Sequence, residues 1–362
     1  MTNATMTDTP PLRIFADRRF LDPGRVPVTI LAPLWGAPRE DPDMPFFGRF
    51  DAWAATGQTC VAPASLENCD AVVYPQEWRS GQRDAGELGR TARAARKPLL
   101  VFFNSDSEEP IPLEGALVFR TSFRRSTRRP WEFAVPGWSE DFLERYAGGQ
   151  LTLRPKKPAP VVSYCGYGRN RPHWTRRFWQ LLRDGGHPAP AHPGQEVRER
   201  ALHSLAEHLG VQTRFVMRRE FWGGAHKAGT TDAAAARRVR EEYVRNMLEG
   251  DYVLCARGGG NFSYRLYETL SCGRIPLFID TDCVLPWDGL VEWPAHCVWV
   301  EEAQADEAGA IVAKLHAALS PQEFAERQRR CRQIWEEWVR PEGFFARLRD
   351  HFGALRLTVT GL

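Results

Sequence analysis

The chain has 362 residues, which is too long for one typical hydrophobic core and fits two domains. Its 48 Lys and Arg residues stand against 45 Asp and Glu residues, and the net charge of +3 argues against a nucleic-acid binder, which usually carries a strongly basic face. No run reaches the ~18 apolar residues of a membrane span, and the N-terminus has no signal-peptide pattern, so we expect a cytoplasmic protein.

The first half of the sequence alternates between strand and helix patterns. We predict strands at 28–32, 71–74, 98–103 and 116–120, and an Ala- and Arg-rich helix at 86–97. Helices that alternate with apolar strands indicate an α/β fold with a mainly parallel sheet and helices on both faces.

A proline-rich segment divides the chain. Residues 151–160 hold three prolines and three basic residues, which leaves little to pack, so we predict an interdomain linker there. The predicted domains are 1–150 and 161–340, and 341–362 is predicted as a C-terminal tail or helix.

A second alternating pattern follows the linker. Strands are predicted at 161–165, 213–217, 251–255, 275–279 and 297–300. Helices are predicted at 174–183, 233–248, 303–319 and 321–340. In the helix at 233–248, we expect Arg237, Arg238 and Arg240 to face solvent among alanines.

The eight cysteines are scattered and form no CxxC pair. Several lie inside apolar runs, where cysteine behaves as a small hydrophobe. We therefore predict buried free thiols, and no zinc site built from closely spaced Cys and His pairs.

A glycine-rich loop after the strand at 251–255 is the most informative motif. Gly258, Gly259 and Gly260 let a ligand approach the backbone closely, and they precede an apparent helix whose N-terminus favours an anion. The loop is neither a Walker loop, because no Gly-Lys-Ser/Thr follows, nor a dinucleotide fingerprint, because Ser263 stands where the third glycine would be.

The residues after the glycines strengthen the prediction of a phosphate site. Ser263 can cap the helix, and Arg265 and Glu268 lie three apart on one helix face. Arginine presents a planar fork to phosphate, and Glu268 can accept hydrogen bonds from ribose hydroxyls. The alternative is a weak ion pair between Arg265 and Glu268.

The stretch 255–280, CARGGGNFSYRLYETLSCGRIPLFID, resembles the signature of exostosin-type glycosyltransferases, and the resemblance continues through Leu285-Pro-Trp. It is specific over about forty residues, and the first 150 residues carry little of it. Two positions depart from the family pattern, namely Ala256 in place of Pro and Arg274 in place of Cys or Thr.

This resemblance implies a GT-B fold, in which two Rossmann-like domains face a cleft and a C-terminal helix crosses back to the N-terminal domain. The C-terminal domain would hold a nucleotide-sugar, with Arg265 on the phosphates and Glu268 on the ribose. The donor-binding residues expected in this stretch are Arg257, Gly258, Gly259, Gly260, Asn261, Ser263, Arg265 and Glu268.

The resemblance further implies an inverting reaction that needs no metal for donor binding. Asp280-Thr-Asp282 follows a strand and is the nearest approach to a metal-binding carboxylate pair. A metal role there is the less favoured alternative, so we expect no metal and no other cofactor.

Two further loops end strands where a doubly wound sheet holds its ligands. Gly166, Arg169 and Asn170 follow the strand at 161–165, and Arg218 follows the strand at 213–217. These residues are predicted near the diphosphate or the sugar, and a basic surface turn is the equal alternative for the first loop.

A general base is needed to deprotonate the acceptor hydroxyl in an inverting transfer. Asp106, Glu108 and Glu109 follow a buried strand of the N-terminal half and are the candidates, although a solvated acidic loop is the simpler interpretation of each residue alone.

The arginine-rich run 120–129 is either a solvated face or a site for an anionic acceptor, and Trp131 and Trp138 could stack on sugar rings or pack in the core.

Together these patterns predict an inverting glycosyltransferase that moves a sugar from a UDP-linked donor to a hydroxyl of a glycan or lipid-linked glycan in polysaccharide synthesis, with no nucleic-acid partner. It would work in the cytoplasm, with peripheral contact to the inner membrane as an option. The alternatives are a fucosyltransferase-like enzyme that uses a GDP-sugar, and a degenerate domain that binds glycan or nucleotide without catalysis.

Overall fold

The computed structural model describes residues 10–41, 46–80, 84–113, 115–167, 193–227 and 230–352. The predicted helix at 174–183 lies outside the described residues.

Two separate parallel sheets organise the chain. The first contains six strands in the order β2-β1-β3-β4-β5-β6. These strands are β1 (Leu12–Phe15), β2 (Val61–Pro63), β3 (Ala71–Val73), β4 (Leu99–Phe103), β5 (Ala116–Arg120) and β6 (Glu132–Ala134). Most of their side chains are buried, as expected for a parallel sheet that is covered on both faces.

The second sheet has the order β13-β12-β11-β7-β8 and is also parallel. Its strands are β7 (Val161–Tyr167), β8 (Gln212–Arg218), β11 (Tyr252–Cys255), β12 (Ile275–Asp280) and β13 (Val298–Glu301). A separate two-stranded antiparallel ribbon is formed by β9 (His226–Lys227) and β10 (Thr230–Thr231). In both large sheets, the second strand along the chain lies on one side of the first, and the later strands are added on its other side. This is the arrangement of a doubly wound domain.

Helices connect these strands. The described α-helices are α1 (Ala32–Trp35), α2 (Asp51–Thr56), α3 (Asp84–Ala94), α4 (Phe142–Tyr146), α5 (Pro193–Glu207), α6 (Ala233–Leu248), α7 (Tyr264–Ser271), α8 (Trp293–His296), α9 (Ala308–Ala318), α10 (Pro321–Ile334) and α11 (Pro341–Ala346). Asp141 caps α4, Asp232 caps α6, and Ser320 forms a capping box on α10. The predicted α/β fold with two Rossmann-like domains is confirmed.

The predicted strand at 28–32 is wrong. Thr29–Leu31 forms a 3₁₀ turn that runs into α1, and Ile30 and Leu31 are buried in the core. Pro33 suits the first turn of a helix, where its missing N–H has no partner to lose. The strand position is taken by β1, between β2 and β3.

The C-terminal helix packs on the N-terminal domain. Phe345 of α11 stacks on Trp53 of α2 with ring centroids 4.9 Å apart, and it also contacts Trp138 at 5.4 Å. The indole N–H of Trp138 donates to the carbonyl of Val339 at 3.0 Å. Apolar burial of these large rings therefore joins the end of the chain to its first half.

The predicted linker 151–160 is free of helix and strand, but it is held against the second domain. Arg154 pairs with the buried Asp251 at 2.5 Å, and its backbone N–H donates to Gln328 at 2.8 Å. The expectation that this segment leaves little to pack is corrected at Arg154, because its side chain finds a buried partner.

All eight cysteines are free thiols, and seven of them are buried, as predicted. Burial raises the pKa of the Cys165 thiol to about 11, which keeps it protonated and unreactive at neutral pH. In the part of the chain that the structure describes, no helix combines the length and apolar character needed to cross a membrane.

His351, just beyond α11, is packed between the two domains. Its ring stacks on Trp287 of the second domain at 4.0 Å and contacts Phe133 of the first at 4.5 Å. Its Nε2 atom is buried and has no hydrogen-bond partner among residues 10–352 as far as these are described. Burial in this aromatic site, together with nearby Arg128, lowers the pKa of His351 to about 3.

The stability of the protein should therefore fall on mild acidification through His351. Above pH 6.5 the imidazole is neutral in both folded and unfolded chains, whereas below it the unfolded chain takes up a proton that the folded protein excludes until about pH 3. Between pH 6.5 and 5 this costs up to about 2 kcal/mol. We expect His351→Phe to flatten the dependence of Tm on pH in this window. The comparison variant His203→Gln, at a half-buried histidine that lies beside Glu207, should keep the wild-type slope, and an unchanged slope in His351→Phe would contradict the assignment.

Candidate functional site

A cleft of about 340 Å³ lies between the two domains. Its floor is made by the carboxyl ends of β7 and β11, through Cys165, Gly166 and Ala256, and by the first turns of α7. Asp106, which follows β4, lines the opposite side. In the second sheet, β7 and β11 are neighbours at the point where the strand order reverses, which is where doubly wound domains bind their ligands.

Arg265 is the principal cation of this cleft. Its Nη2 donates to the carbonyl of Cys165 at 3.0 Å, and its guanidinium lies 4.4 Å above the ring of Tyr164. Its Nε atom is buried and has no hydrogen-bond partner in the described part of the chain. The predicted alternative, an ion pair with Glu268, does not describe this arginine, because its hydrogen bond goes to the strand end and Glu268 pairs elsewhere.

Arg198, on the first half of α5, is a second cation in the cleft. Its two terminal nitrogens donate to the carbonyls of Tyr167 at 3.2 Å and Arg257 at 2.6 Å, so it bridges the ends of β7 and β11. Its Nε is also buried, and none of the residues that the structure describes accepts a hydrogen bond from it. Within the described residues, neither Arg198 nor Arg265 is paired with a carboxylate.

Two guanidinium groups that lack a hydrogen-bonded carboxylate among the described residues carry a desolvation cost in this partly buried cleft. Buried charges in proteins are normally paired, because removing a charge from water is unfavourable. A ligand that brings at least one negative charge would remove this cost, and arginine forks match phosphate oxygens well. The cleft is therefore suited to an anionic ligand.

Glu268 is buried in a network with Arg240 and Tyr243. Arg240 donates to Glu268 Oε1 at 3.2 Å, and the Tyr243 hydroxyl donates to Oε2 at 2.5 Å. All three side chains line the cleft. The prediction that Arg240 faces solvent is wrong: it lies on the buried face of α6 with Ala236 and Val244, whereas Arg237 and Arg238 are exposed as expected.

The three glycines have different surroundings. A side chain at Gly258 would meet no atom within 4 Å, so this position leaves room for a ligand. A Cβ at Gly259 would lie 2.4 Å from Asp106 Oδ2, and one at Gly260 would lie 2.7 Å from the Asp106 Cα. Gly259 and Gly260 are thus needed for close approach of the N-terminal domain. Gly260 is outside the cleft lining, and a donor contact there stays a prediction.

Two other predicted donor-binding residues face the other domain. Arg257 donates to Glu108 at 2.9 Å, and Asn261 is fully buried, donating to the carbonyl of Phe123 at 3.1 Å and accepting from Thr281 at 2.7 Å. Their side chains secure the domain interface, and a donor contact at either residue stays a prediction.

The remaining predicted donor-side residues that the structure describes do line the cleft. Gly166, Ser263 and Arg218 are among them, and Ser263 stands at the N-cap of α7 with no side-chain cap hydrogen bond, which leaves its hydroxyl open to a ligand. Arg218 is held by Glu242 at 2.7 Å and is less available. Arg169 and Asn170 lie outside the described residues.

The structure separates the three acidic candidates for the base. Asp106 is exposed to the cleft, and its carboxylate approaches the glycine loop. Glu108 pairs with Arg124 at 2.8 Å and with Arg257 at 2.9 Å, so it bridges two arginines and is less available to an acceptor hydroxyl than Asp106. Glu109 is exposed outside the cleft lining.

The arginine-rich run 120–129 joins the two domains instead of forming a free basic face. Arg125 pairs with the buried Asp280 at 2.5 Å, Arg128 pairs with Asp288 at 2.6 Å, and the backbone of Ser126 donates to Asp282 at 3.2 Å. Both aspartates of the Asp-Thr-Asp motif are thus bound by residues of this run. Among the described residues no group of three His, Cys, Asp or Glu side chains is placed to hold a metal ion.

The two tryptophans suggested as sugar platforms lie in different environments. Trp138 is 8% exposed and packs against Phe50 and Phe344, which is the core-packing alternative. Trp131 is exposed and lies under Arg129 at 5.9 Å, outside the cleft lining.

Sequence reasoning missed Arg198, Arg240 and Tyr243. A sequence signal existed for the two arginines. Arg198 falls on the same face of α5 as the buried Ala201, Leu202 and Leu205, and Arg240 likewise falls on the buried face of α6. A charged residue on the apolar face of a helix indicates a buried partner or a ligand. No comparable signal distinguished Tyr243.

No protein-family model matches this sequence, and neither does any curated protein. Among solved structures, HepE from Anabaena in complex with UDP-glucose is similar, with a TM-score of 0.34 and 13% identity over 97% of this chain and 99% of that one. WaaG, a glycosyltransferase involved in lipopolysaccharide biosynthesis, has a TM-score of 0.35 and 12% identity over 87% and 97% of the two chains. TarM has a TM-score of 0.30 and 12% identity over 70% of this chain and 54% of that one.

Proposed function

We propose that this protein is a glycosyltransferase that binds a nucleotide-sugar in the cleft between its domains and transfers the sugar to a glycan hydroxyl with inversion. The observation that carries the proposal is the placement of Arg198 and Arg265, neither with a carboxylate partner among the described residues, at the carboxyl ends of β7 and β11. This position suits the diphosphate of the donor, and the two cations would stabilise the charge that develops on the leaving nucleoside diphosphate.

The other parts of the cleft fit the remaining parts of such a donor. Glu268 has an oxygen lone pair left on each carboxylate oxygen after its bonds to Arg240 and Tyr243, which suits ribose hydroxyls. Gly258 leaves space beside the N-terminus of α7, where an anion is favoured.

Asp106 is the proposed general base. It lies on the N-terminal side of the cleft, from which the acceptor would enter, and its carboxylate carries no hydrogen bond from another described residue. In the proposed reaction it accepts the proton of the acceptor hydroxyl while that oxygen attacks the anomeric carbon and the nucleoside diphosphate leaves from the opposite face.

Calorimetric titration with UDP, GDP and uridine, each in EDTA and in Mg²⁺, tests the donor site. We expect UDP to bind at least ~100-fold more tightly than uridine, because charge-assisted bonds from two arginines each contribute about 1.5–3 kcal/mol. Binding should persist in EDTA, because the guanidinium groups supply the positive charge that Mg²⁺ would otherwise provide to the diphosphate. Equal affinity for UDP and uridine would contradict an anion site in this cleft.

The same titration distinguishes the candidate functions. The sequence motif favours UDP, and tighter binding of GDP would indicate the fucosyltransferase-like alternative. Nucleotide binding without hydrolysis or transfer across a panel of UDP- and GDP-sugars would indicate a non-catalytic module. The acceptor class, a glycan or lipid-linked glycan at the inner membrane surface, remains part of the proposal. Because Arg125 and Arg128 in the run 120–129 are paired with carboxylates, this run does not favour an anionic acceptor.

A further inference from the structure

Glu140 belongs to the N-terminal part of the chain but is buried beside the cleft of the second domain. It precedes α4, it is 4% exposed, and it is absent from the cleft lining. Its Oε1 accepts from Arg240 Nε at 2.7 Å, and its Oε2 accepts from Arg145 at 2.8 Å. A carboxylate so deeply buried is costly unless it is paired, so its position is dictated by these two arginines.

Arg240 connects Glu140 to the donor site. Its Nε bonds to Glu140, and its Nη1 bonds to Glu268 at 3.2 Å. The guanidinium also lies 4.6 Å above the ring of Phe142, which is two residues from Glu140. Arg240 is thus divided between two carboxylates, and the shorter bond is the one to Glu140.

We propose that Glu140 is a positioning residue for ribose recognition, because it keeps Arg240 from forming a bidentate bond with Glu268. This inference rests on the proposed function. A carboxylate offers about four lone-pair sites. With Arg240 drawn toward Glu140, Glu268 bonds once to Arg240 and once to Tyr243, and a lone pair on each oxygen is left for a ligand. Without the charge on Glu140, Arg240 would turn fully to Glu268 and occupy the acceptors that the ribose hydroxyls need.

The test compares the Kd of UDP with that of 2′-deoxy-UDP. The wild type should prefer UDP by about tenfold, the value of one hydroxyl bond to a charged acceptor. Glu140→Gln should reduce this preference to about threefold or less, while the Kd of 2′-deoxy-UDP changes little. Glu268→Gln should show the same loss of preference, as expected if Glu140 acts on ribose recognition through Glu268. Glu140→Asp keeps the charge but withdraws it by one methylene, and it should give an intermediate preference.

Asp141→Asn is the matched control. Asp141 is adjacent in sequence, caps the same helix and pairs with Arg332 at 2.7 Å, away from the cleft. This variant should lower Tm and keep the full preference for UDP, because a purely structural disturbance acts on both nucleotides alike.

The outcomes separate this inference from the proposed function. If the wild type binds neither nucleotide, the proposed function fails. If the wild type binds UDP with the ribose preference and both Glu140 variants keep it, or if Asp141→Asn loses it equally, the role of Glu140 is overturned while the function stands. A wild type that binds both nucleotides equally also overturns this role.

Discussion

Replacing Arg265 with methionine should weaken UDP binding by about 10- to 150-fold without lowering the Tm of the unliganded protein. The loss corresponds to about 1.5–3 kcal/mol for a charge-assisted bond to phosphate. Stability should be kept or raised, because methionine fills a similar volume and removes a partly buried cation that has one hydrogen bond and no carboxylate partner among the described residues. Calorimetry and thermal melting measure the two effects.

Arg274→Met is the matched control for this prediction. Arg274 is equally an arginine of the second domain, but it is 3% exposed and donates to the carbonyls of Leu248, Thr152 and Cys272, away from the cleft. Its removal leaves those buried acceptors unpaired, so Tm should fall while UDP binding in the folded protein is retained. If Arg265→Met instead lost stability and kept its affinity, Arg265 would be a structural residue.

Replacing Asp106 with asparagine should abolish most catalysis while leaving donor binding intact. General base catalysis typically contributes about 10²- to 10⁴-fold. We therefore expect hydrolysis of the best UDP-sugar to fall by that factor, with UDP affinity unchanged or slightly tighter because a negative charge near the diphosphate is removed. Asparagine has nearly the same shape, so the close packing of Asp106 on Gly259 and Gly260 is preserved. Chromatography of released UDP measures the rate.

Glu109→Gln provides the comparison on the same loop. This glutamate is exposed outside the cleft lining, and its loss should leave hydrolysis within about twofold of the wild type, as for ordinary surface substitutions. Comparable losses in the two variants would show that the loop, rather than the Asp106 carboxylate, is what matters.

Local sequence patterns predicted most of the elements that build the cleft. Apolar runs bounded by turn residues located β4, β5, β7, β11 and β12, since a strand buried in a parallel sheet must be apolar over its whole length. The strands missed by the sequence were short, such as β2 and β6 with three residues each, and so carry little pattern. The run at 28–32 has strand composition but lies where the chain has no neighbouring strand to pair with.

The sequence by itself therefore determined the fold class, the glycine loop before α7, and the presence of Arg265 and Glu268 on that helix. Only the tertiary structure decided which charges are paired. Arg257 and Arg265 are eight residues apart, yet one neutralises Glu108 across the domain interface and the other remains without a carboxylate partner among the described residues. Likewise, two of the three glycines make room for Asp106, and one is open to the cleft. The physical reason is that helix and strand formation depends on neighbours in sequence, whereas the partner of a charge depends on how two distant domains are placed against each other.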